Sequence, residues 1–170
     1  QHLKALYHLT KSLDATRPVI DNDGWEHTDM TDLFGIHDYA ARGEKLVEKY
    51  AVLGQKEFAF PGTGRAALAP GFKYNGSPVF LSEFGGIAYP LPGSPMPADA
   101  WGYAGVEKTP EAALERLRSL YVGIAKIPQM MGICYTQLTD VEQEINGLLT
   151  YDRKPKFDVK TIREINSLLN

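Results

Sequence analysis

Short apolar runs and helical patterns alternate along this chain. The spacing of Leu3, Leu6 and Leu13 predicts a helix over residues 3–13, which residues 14–18 end. Four short apolar runs follow, each typical of a buried strand, at residues 18–21, 33–36, 79–82 and 131–135. Helical patterns recur between or after these runs, at residues 42–53, 109–127 and 158–169.

The order of these elements predicts an α/β fold with a parallel sheet. Each run ends in polar or charged residues that lead into long loops, as at the active face of a (β/α)8 barrel. A doubly wound sheet also binds ligands at the carboxyl ends of its strands, but no glycine-rich phosphate loop follows any run. Since a barrel has eight strands and about 250 residues, the chain corresponds to half of one.

Composition narrows the function classes. The chain has 170 residues, 18 basic and 21 acidic, with a net charge of -3 and no basic block, so neither nucleic acid nor an anionic membrane surface is an expected partner. No apolar run is long enough to span a bilayer, and no secretory signal opens the chain. The sequence starts at Gln1 and not at an initiator Met, so its start does not predict the cellular compartment. The single cysteine, Cys134, excludes an internal disulfide and a cysteine-built metal site.

Glu83 is the first residue to consider for chemistry, because a carboxylate follows a run that should be buried. It either caps the next element or pairs with an arginine, or it serves as a catalytic group in a cavity. Gly85 and Gly86 follow it, and they leave room for a substrate ring or serve a tight turn.

Residues 78–86, with the sequence PVFLSEFGG, resemble the nucleophile strand of family-2 glycoside hydrolases, the group of β-galactosidases, β-glucuronidases and β-mannosidases. Three further segments resemble the same family in the same order: residues 14–26, 35–39 and 135–148. The resemblance covers nearly the whole chain. It implies that residues 1–170 are the C-terminal half of a catalytic TIM barrel in a larger multidomain enzyme, with the four runs as strands five to eight.

The resemblance also implies a retaining β-glycosidase mechanism, in which Glu83 is the nucleophile that forms a covalent glycosyl-enzyme intermediate. In this family the acid/base Glu follows an Asn at the end of strand four. This chain contains no Asn-Glu pair, so we expect that residue upstream of Gln1 and expect the chain alone to be inactive. The alternative is a non-catalytic fragment that only binds sugar or assembles with the N-terminal part of the same enzyme. Without strands one to four, the exposed inner face of the half-barrel should favour self-association.

Six residues are predicted to bind the carbohydrate substrate: Tyr39, His37, Tyr135, Asn22, Asp23 and Trp25. By resemblance, Tyr39 contacts the nucleophile and Tyr135 forms an aromatic platform for the sugar. Strand alternation places His37 on the face of Tyr39. Asn22, Asp23 and Trp25 form a polar segment with Glu26 and His27, and these residues are subsite or supporting groups, although an Asp-Gly turn explains part of the pattern.

The remaining polar groups suggest no metal and no cofactor. Asp140, Glu142 and Glu144 lie in one loop, where spaced acidic residues are usually solvated. Trp101 lies in a long loop and either lines the mouth of the pocket or anchors that loop. The sugar itself is not predicted, because galactoside, glucuronide and mannoside specificity depends on loops. A different barrel glycosidase with two catalytic glutamates would keep Glu83 and change only the substrate.

Overall fold

The computed structural model describes residues 1–54, 61, 64–93 and 97–169, and it shows an α/β fold with one small parallel sheet. Its elements in chain order are α1 (His2–Leu13), β1 (Phe34–Asp38), α2 (Gly43–Tyr50), β2 (Val79–Gly85), α3 (Pro110–Ile124), β3 (Met130–Thr136) and α4 (Val159–Asn166). Short 3-10 turns at Ala51–Gly54 and Ser167–Leu169 extend α2 and α4. The strand order is β1-β2-β3, which makes β2 the central strand.

The predicted helices are confirmed, and three of the predicted strands are confirmed as β1, β2 and β3 with bounds that differ by a few residues. Helix α3 begins as its sequence predicts, with Pro110 in the first turn. The Oγ1 atom of Thr109 accepts a hydrogen bond of 3.2 Å from the backbone N–H of Ala112 and so caps the helix.

The predicted strand at residues 18–21 is wrong, because that segment bonds to the chain that precedes β1 and joins no strand ladder. The backbone N–H of Asp32 donates to the carbonyl of Val19 at 2.9 Å, and the N–H of Val19 donates to the Asp32 carboxylate at 2.8 Å. The N–H of Asp21 donates to the Thr31 hydroxyl at 3.3 Å. A carboxylate and a hydroxyl thus take the places of a neighbouring strand's carbonyl groups.

The chain divides into two compact units. Unit 1 comprises Gln1–Asp38, Lys49–Glu83 and Pro128–Cys134, and unit 2 comprises Tyr39–Glu48, Phe84–Ile127 and Tyr135–Asn170. Unit 1 contains α1 and most of the sheet. Its buried side chains include those of Phe34, Ile36, Val79 and Leu81, which are at most 3% exposed.

Two elements of unit 1 keep apolar side chains in solvent. Helix α1 has no buried residue, and its Leu9 and Leu13 are 55% and 81% exposed. On β3, which is an edge strand among the described strands, Met131 is 69% exposed. Both elements therefore present apolar side chains at the surface of the described structure.

Unit 2 is built on α3, which packs against α4. Leu117, Leu120 and Ile124 of α3 are buried, and so is Ile165 of α4. Helix α2 begins close to α3: a Cβ atom on Gly43 would lie 1.9 Å from the carbonyl oxygen of Ser119. None of the described helices has the length and apolar character that a membrane crossing requires.

Candidate functional site

Glu83 lies inside β2 rather than at its exit, because the strand continues through Phe84 and Gly85. Its side chain is 39% exposed, and its Oε2 atom lies 3.2 Å from Nδ1 of His37 on the neighbouring strand β1. The carboxylate is therefore accessible to solvent and is held by a ring nitrogen. A carboxylate is one of the side-chain groups that can act as a nucleophile.

The second nitrogen of His37 also meets a carboxylate. Its Nε2 atom lies 3.1 Å from Oδ2 of Asp23, whose side chain is 46% exposed, whereas the side chain of His37 is only 12% exposed. One ring thus joins two carboxylates that come from distant parts of the sequence.

Asp23 is held in turn by the residue that precedes the candidate nucleophile. The Ser82 hydroxyl donates a hydrogen bond of 2.5 Å to Oδ1 of Asp23. Gly35 makes this approach possible, because a Cβ atom there would lie 2.3 Å from the same oxygen. Strand β2 therefore supplies both Glu83 and the group that orients Asp23.

The ring of His37 is enclosed by the turn before it. Gly24 has a φ of +90°, and a Cβ atom on it would lie 2.8 Å from three atoms of that ring. Trp25 packs edge-on against the ring, with centroids 4.8 Å apart. The Arg65 guanidinium lies 5.0 Å from the centre of the Trp25 ring, a cation–π contact.

The other predicted residues of this segment brace it. Asn22 donates to the carbonyl of Trp25 at 2.7 Å. Glu26 has a left-handed φ of 52°, and its N–H donates to the carbonyl of Ala66 at 2.8 Å. His27 is fully buried, and its side chain exposes no surface to solvent.

His27 lies between Asp21, 2.6 Å from Nδ1, and the carbonyl of Gly35, 2.6 Å from Nε2. Burial raises the pKa of Asp21, but hydrogen bonds from His27 and Thr28 outweigh it and leave that pKa below its ordinary value of 3.8. The Asp21–His27 pair therefore anchors the segment that carries Asp23.

In unit 2, Tyr39 belongs to an aromatic cluster. Its ring stacks on that of Tyr103 at 3.4 Å with an interplanar angle of 4°, and Trp101 packs edge-on against Tyr103 at 5.3 Å. Trp101 is 38% exposed, and its backbone bonds to residues 143 and 145. Trp101 is thus a partly exposed anchor of its loop.

The ring of Tyr135, also in unit 2, packs against Gly85 and stands edge-on to Phe84 at 5.7 Å. Its hydroxyl accepts from the N–H of Ile87 and donates to the carbonyl of Asn146, both at 3.3 Å. Burial raises the pKa of this phenol.

Protein rings occupy the space next to both glycines of the Gly85-Gly86 pair. A Cβ atom on Gly85 would lie 2.3 Å from the Tyr135 ring, and one on Gly86 would lie 2.3 Å from the Tyr103 ring. Both glycines have positive φ angles, +87° and +54°. Of the two interpretations left open by the sequence, the positive φ angles and the packed tyrosine rings favour the tight turn.

The acidic loop of residues 140–144 is held by a buried lysine. Nζ of Lys156, whose side chain is 1% exposed, lies 2.6 Å from Oδ1 of Asp140 and 2.9 Å from the carbonyls of Tyr89 and Ile145. Gln137 donates to Glu144 at 3.3 Å. Among the described residues, no group of three or more His, Cys, Asp or Glu side chains is arranged to hold a metal ion.

The structure thus brings Glu83, His37, Asp23, Trp25 and Asn22 into unit 1, and it places Tyr39 and Tyr135 in unit 2. The sequence analysis missed the parts played by Ser82, Arg65, Tyr103 and Lys156. Of these four, only Ser82 could have been identified from the sequence, because it precedes Glu83 in the segment of residues 78–86 that resembles family-2 glycoside hydrolases. The other three lie in loops or outside the motifs, so their partners depend on tertiary contacts.

Comparison with known proteins gives matches at the level of structure. No protein-family model and no curated protein sequence matches the chain. A crystal structure of a family-2 beta-galacturonidase from Eisenbergiella tayi bound to glycerol is 18% identical with a TM-score of 0.60, and the match covers 96% of this chain and 29% of that one. A crystal structure of a family-2 beta-galacturonidase from the same organism bound to galacturonate is 17% identical with a TM-score of 0.56, and the match covers 98% of this chain and 29% of that one.

A beta-glucuronidase from Faecalibacterium prausnitzii is 17% identical with a TM-score of 0.60, and the match covers 97% of this chain and 27% of that one. The chain spans less than a third of the length of each of these structures. At such low identity the likeness concerns the fold. This protein therefore has the fold of a segment of these glycoside hydrolases.

Proposed function

We propose that this chain is the nucleophile-bearing part of a retaining β-glycosidase of family 2, with Glu83 as the nucleophile. The contact between His37 and Glu83 carries the proposal, because it orients a carboxylate that is 39% exposed on the central strand. The fold shared with glycoside hydrolases supports it, and so do the motifs around residues 35–39 and 78–86.

In the proposed reaction, a carboxylate oxygen of Glu83 attacks the anomeric carbon of a β-glycoside while the bond to the leaving oxygen breaks. A second carboxylic acid protonates that oxygen, and the same group then takes a proton from the water that releases the sugar from Glu83. We propose that this acid/base Glu belongs to the N-terminal part of the same enzyme. Two displacements retain the configuration at the anomeric carbon.

The exposed apolar side chains of unit 1 support the interpretation of the chain as half of a (β/α)8 barrel. Leu9 and Leu13 of α1 and Met131 of β3 are 55%, 81% and 69% exposed, as expected where further strands and helices would pack. We propose that the N-terminal part of the enzyme covers these faces. Without it, the same faces would favour self-association.

Carbohydrate is the proposed substrate, and its sugar is left to experiment. The names of the solved neighbours, beta-galacturonidase and beta-glucuronidase, refer to sugars that carry a carboxylate. The cation–π contact between Arg65 and Trp25 places a positive charge beside the ring that packs against His37. A panel of aryl β-galactoside, β-glucuronide, β-galacturonide and β-mannoside therefore covers the candidate sugars.

The test compares the 170-residue chain with the complete enzyme on this panel. We expect no turnover by the chain alone, because the general acid, worth about 10²–10⁴-fold, and half of the pocket are missing. The complete enzyme should hydrolyse one substrate with retention, and Glu83→Gln should nearly eliminate that activity. Glu115→Gln, at a glutamate that is 72% exposed on α3, is the matched control.

Two results would contradict the proposal. If the chain alone turned over substrate and Glu83→Gln abolished that turnover, the claim that the chain lacks an acid/base group would be refuted. Full activity of the Glu83→Gln enzyme would remove Glu83 from the mechanism. The non-catalytic alternative would be favoured by two results together: the 170-residue chain binds sugar without turnover, and Glu83→Gln leaves the activity of the complete enzyme unchanged.

A further inference from the structure

Four side chains of unit 1 form a continuous series of polar contacts. Ser82 Oγ lies 2.5 Å from Asp23 Oδ1. Asp23 Oδ2 lies 3.1 Å from His37 Nε2, and His37 Nδ1 lies 3.2 Å from Glu83 Oε2. We propose that Asp23 is a positioning residue that acts through His37 to fix the Glu83 carboxylate for attack. The inference rests on the proposed function of Glu83 and adds a role for Asp23 that is distinct from sugar binding.

The first argument is a count of protons. A neutral imidazole has one N–H, so it can donate to only one of two carboxylates. Both contacts of His37 are hydrogen bonds at the same time only when both ring nitrogens carry protons. In the resulting array the imidazolium carries a positive charge between two carboxylates, at 3.1 and 3.2 Å, so each contact combines a hydrogen bond with an attraction between opposite charges. Asp23 is then the anion that stabilises the doubly protonated ring.

The second argument is the rigidity of the surroundings. Gly24 and Trp25 enclose the His37 ring, so it has little freedom to turn away from Glu83. Asp23 is 46% exposed and would move freely without a partner, but the Ser82 hydroxyl holds its other oxygen. Side chains locked in this way by their neighbours preorganise a reacting group.

Two carboxylates contact the ring of His37. Asp23 faces His37 from the turn before β1, and Glu83 faces it from β2. Arg65 contacts Trp25, whose ring packs against His37. The competing explanation is that Asp23 only shapes the Asp-Gly turn, in which case its charge is irrelevant to His37.

The test is ¹⁵N NMR of the histidine side chains in the 170-residue chain at neutral pH, with His37 assigned from the His37→Gln variant. We expect both ring nitrogens of His37 to carry protons in the unaltered chain. Asp23→Asn keeps the shape of the turn and removes the charge, and it should leave a single protonated nitrogen. Asp29→Asn is the matched control, since Asp29 pairs with Lys4 at 2.7 Å and lies outside the array. It should leave His37 unchanged.

A second variant keeps the test decisive if Asp23→Asn does not fold. Ser82→Ala frees Asp23 without touching His37, and it should speed the solvent exchange of the Nε2 proton, while Ser82→Thr restores the slow exchange. One protonated nitrogen in the unaltered chain would overturn the inference. Two protonated nitrogens that persist in Asp23→Asn would overturn it as well.

Kinetics of the complete enzyme give the functional readout. Asp23→Asn should lower kcat by about 10–100-fold, the loss typical of supporting partners in active sites, with KM changed much less. A large rise in KM with unchanged kcat would instead make Asp23 a sugar-binding residue. Because the NMR result needs no turnover, a failure of this inference is distinguishable from a failure of Glu83 as the nucleophile.

Discussion

The backbone of Gly24 lies directly against the ring of His37: a methyl group at Gly24 would come within 2.8 Å of three of the ring atoms. Gly24 also has a φ of +90°, which L side chains rarely adopt. The turn is thus the wall of the pocket that holds His37 next to Glu83. A sequence change in this turn should affect both stability and the candidate site.

Substitution Gly24→Ala should destabilise the protein for two reasons that can be separated. Left-handed backbone strain costs about 1–2 kcal/mol, and displacing the packed His37 ring costs about 1–3 kcal/mol more. Gly71→Ala is the matched control, because Gly71 has a φ of +84° and open space around it. Urea unfolding should show a larger loss at Gly24. Equal losses at both positions would show that His37 does not pack on this turn.

Acid should weaken the fold through Asp21. Because its pKa in the folded state lies below the ordinary 3.8, the unfolded chain takes up the proton more readily. The stabilisation by the ionised Asp21 is therefore complete above about pH 4. It is lost as the pH falls through the lower pKa that Asp21 has in the folded state. Asp21→Asn should cost about 1–3 kcal/mol at pH 7.

The measurement for Asp21 is the urea midpoint at pH 7 and at acid pH. The Asp21→Asn variant should lose less stability on acidification than the unaltered chain does. Asp99→Asn, at an exposed position, serves as the control. An unchanged acid dependence in Asp21→Asn would show that the carboxylate is not linked to folding.

Lys156→Met should be among the most destabilising single changes in unit 2. It removes the cation beside Asp140 and leaves two carbonyl groups without their donor, and breaking such a buried pair costs about 3–5 kcal/mol. Lys154→Met is the control, because Lys154 pairs with Asp152 at the surface and is 74% exposed. We expect a change within about 0.5 kcal/mol there. Similar small losses at both lysines would contradict the role given to Lys156.

Much of the fold follows from local sequence signals. The periodicity of residues 3–13 and the Thr109-Pro110 pair predict α1 and the start of α3, because capping and amphipathic spacing are local properties. The segment at residues 18–21 has the composition of a strand, but Asp32 and Thr31 bond to its backbone. That outcome depends on side chains ten or more residues away, which periodicity does not detect.

The candidate site, too, was predicted only in part from the sequence. The motifs indicate Glu83, His37 and Asp23 as residues of interest. They do not show that one histidine joins the two carboxylates, since that requires the register of β1 against β2 and the turn at Gly24. Likewise, the glycines after Glu83 fit two interpretations in the sequence, and only the positions of Tyr135 and Tyr103 decide between them.

The role of Glu83 is tested most directly by trapping the covalent intermediate. The complete enzyme is treated with an activated 2-fluoro glycoside of its preferred sugar, and the digest is analysed by mass spectrometry. Trypsin releases Glu83 in the peptide of residues 74–108, which contains neither lysine nor arginine before its last residue. We predict one glycosyl group on that peptide, located at Glu83 by fragmentation and absent from Glu83→Gln. A glycosyl group on any other carboxylate, or labelling that persists in Glu83→Gln, would contradict the assignment of Glu83 as the nucleophile.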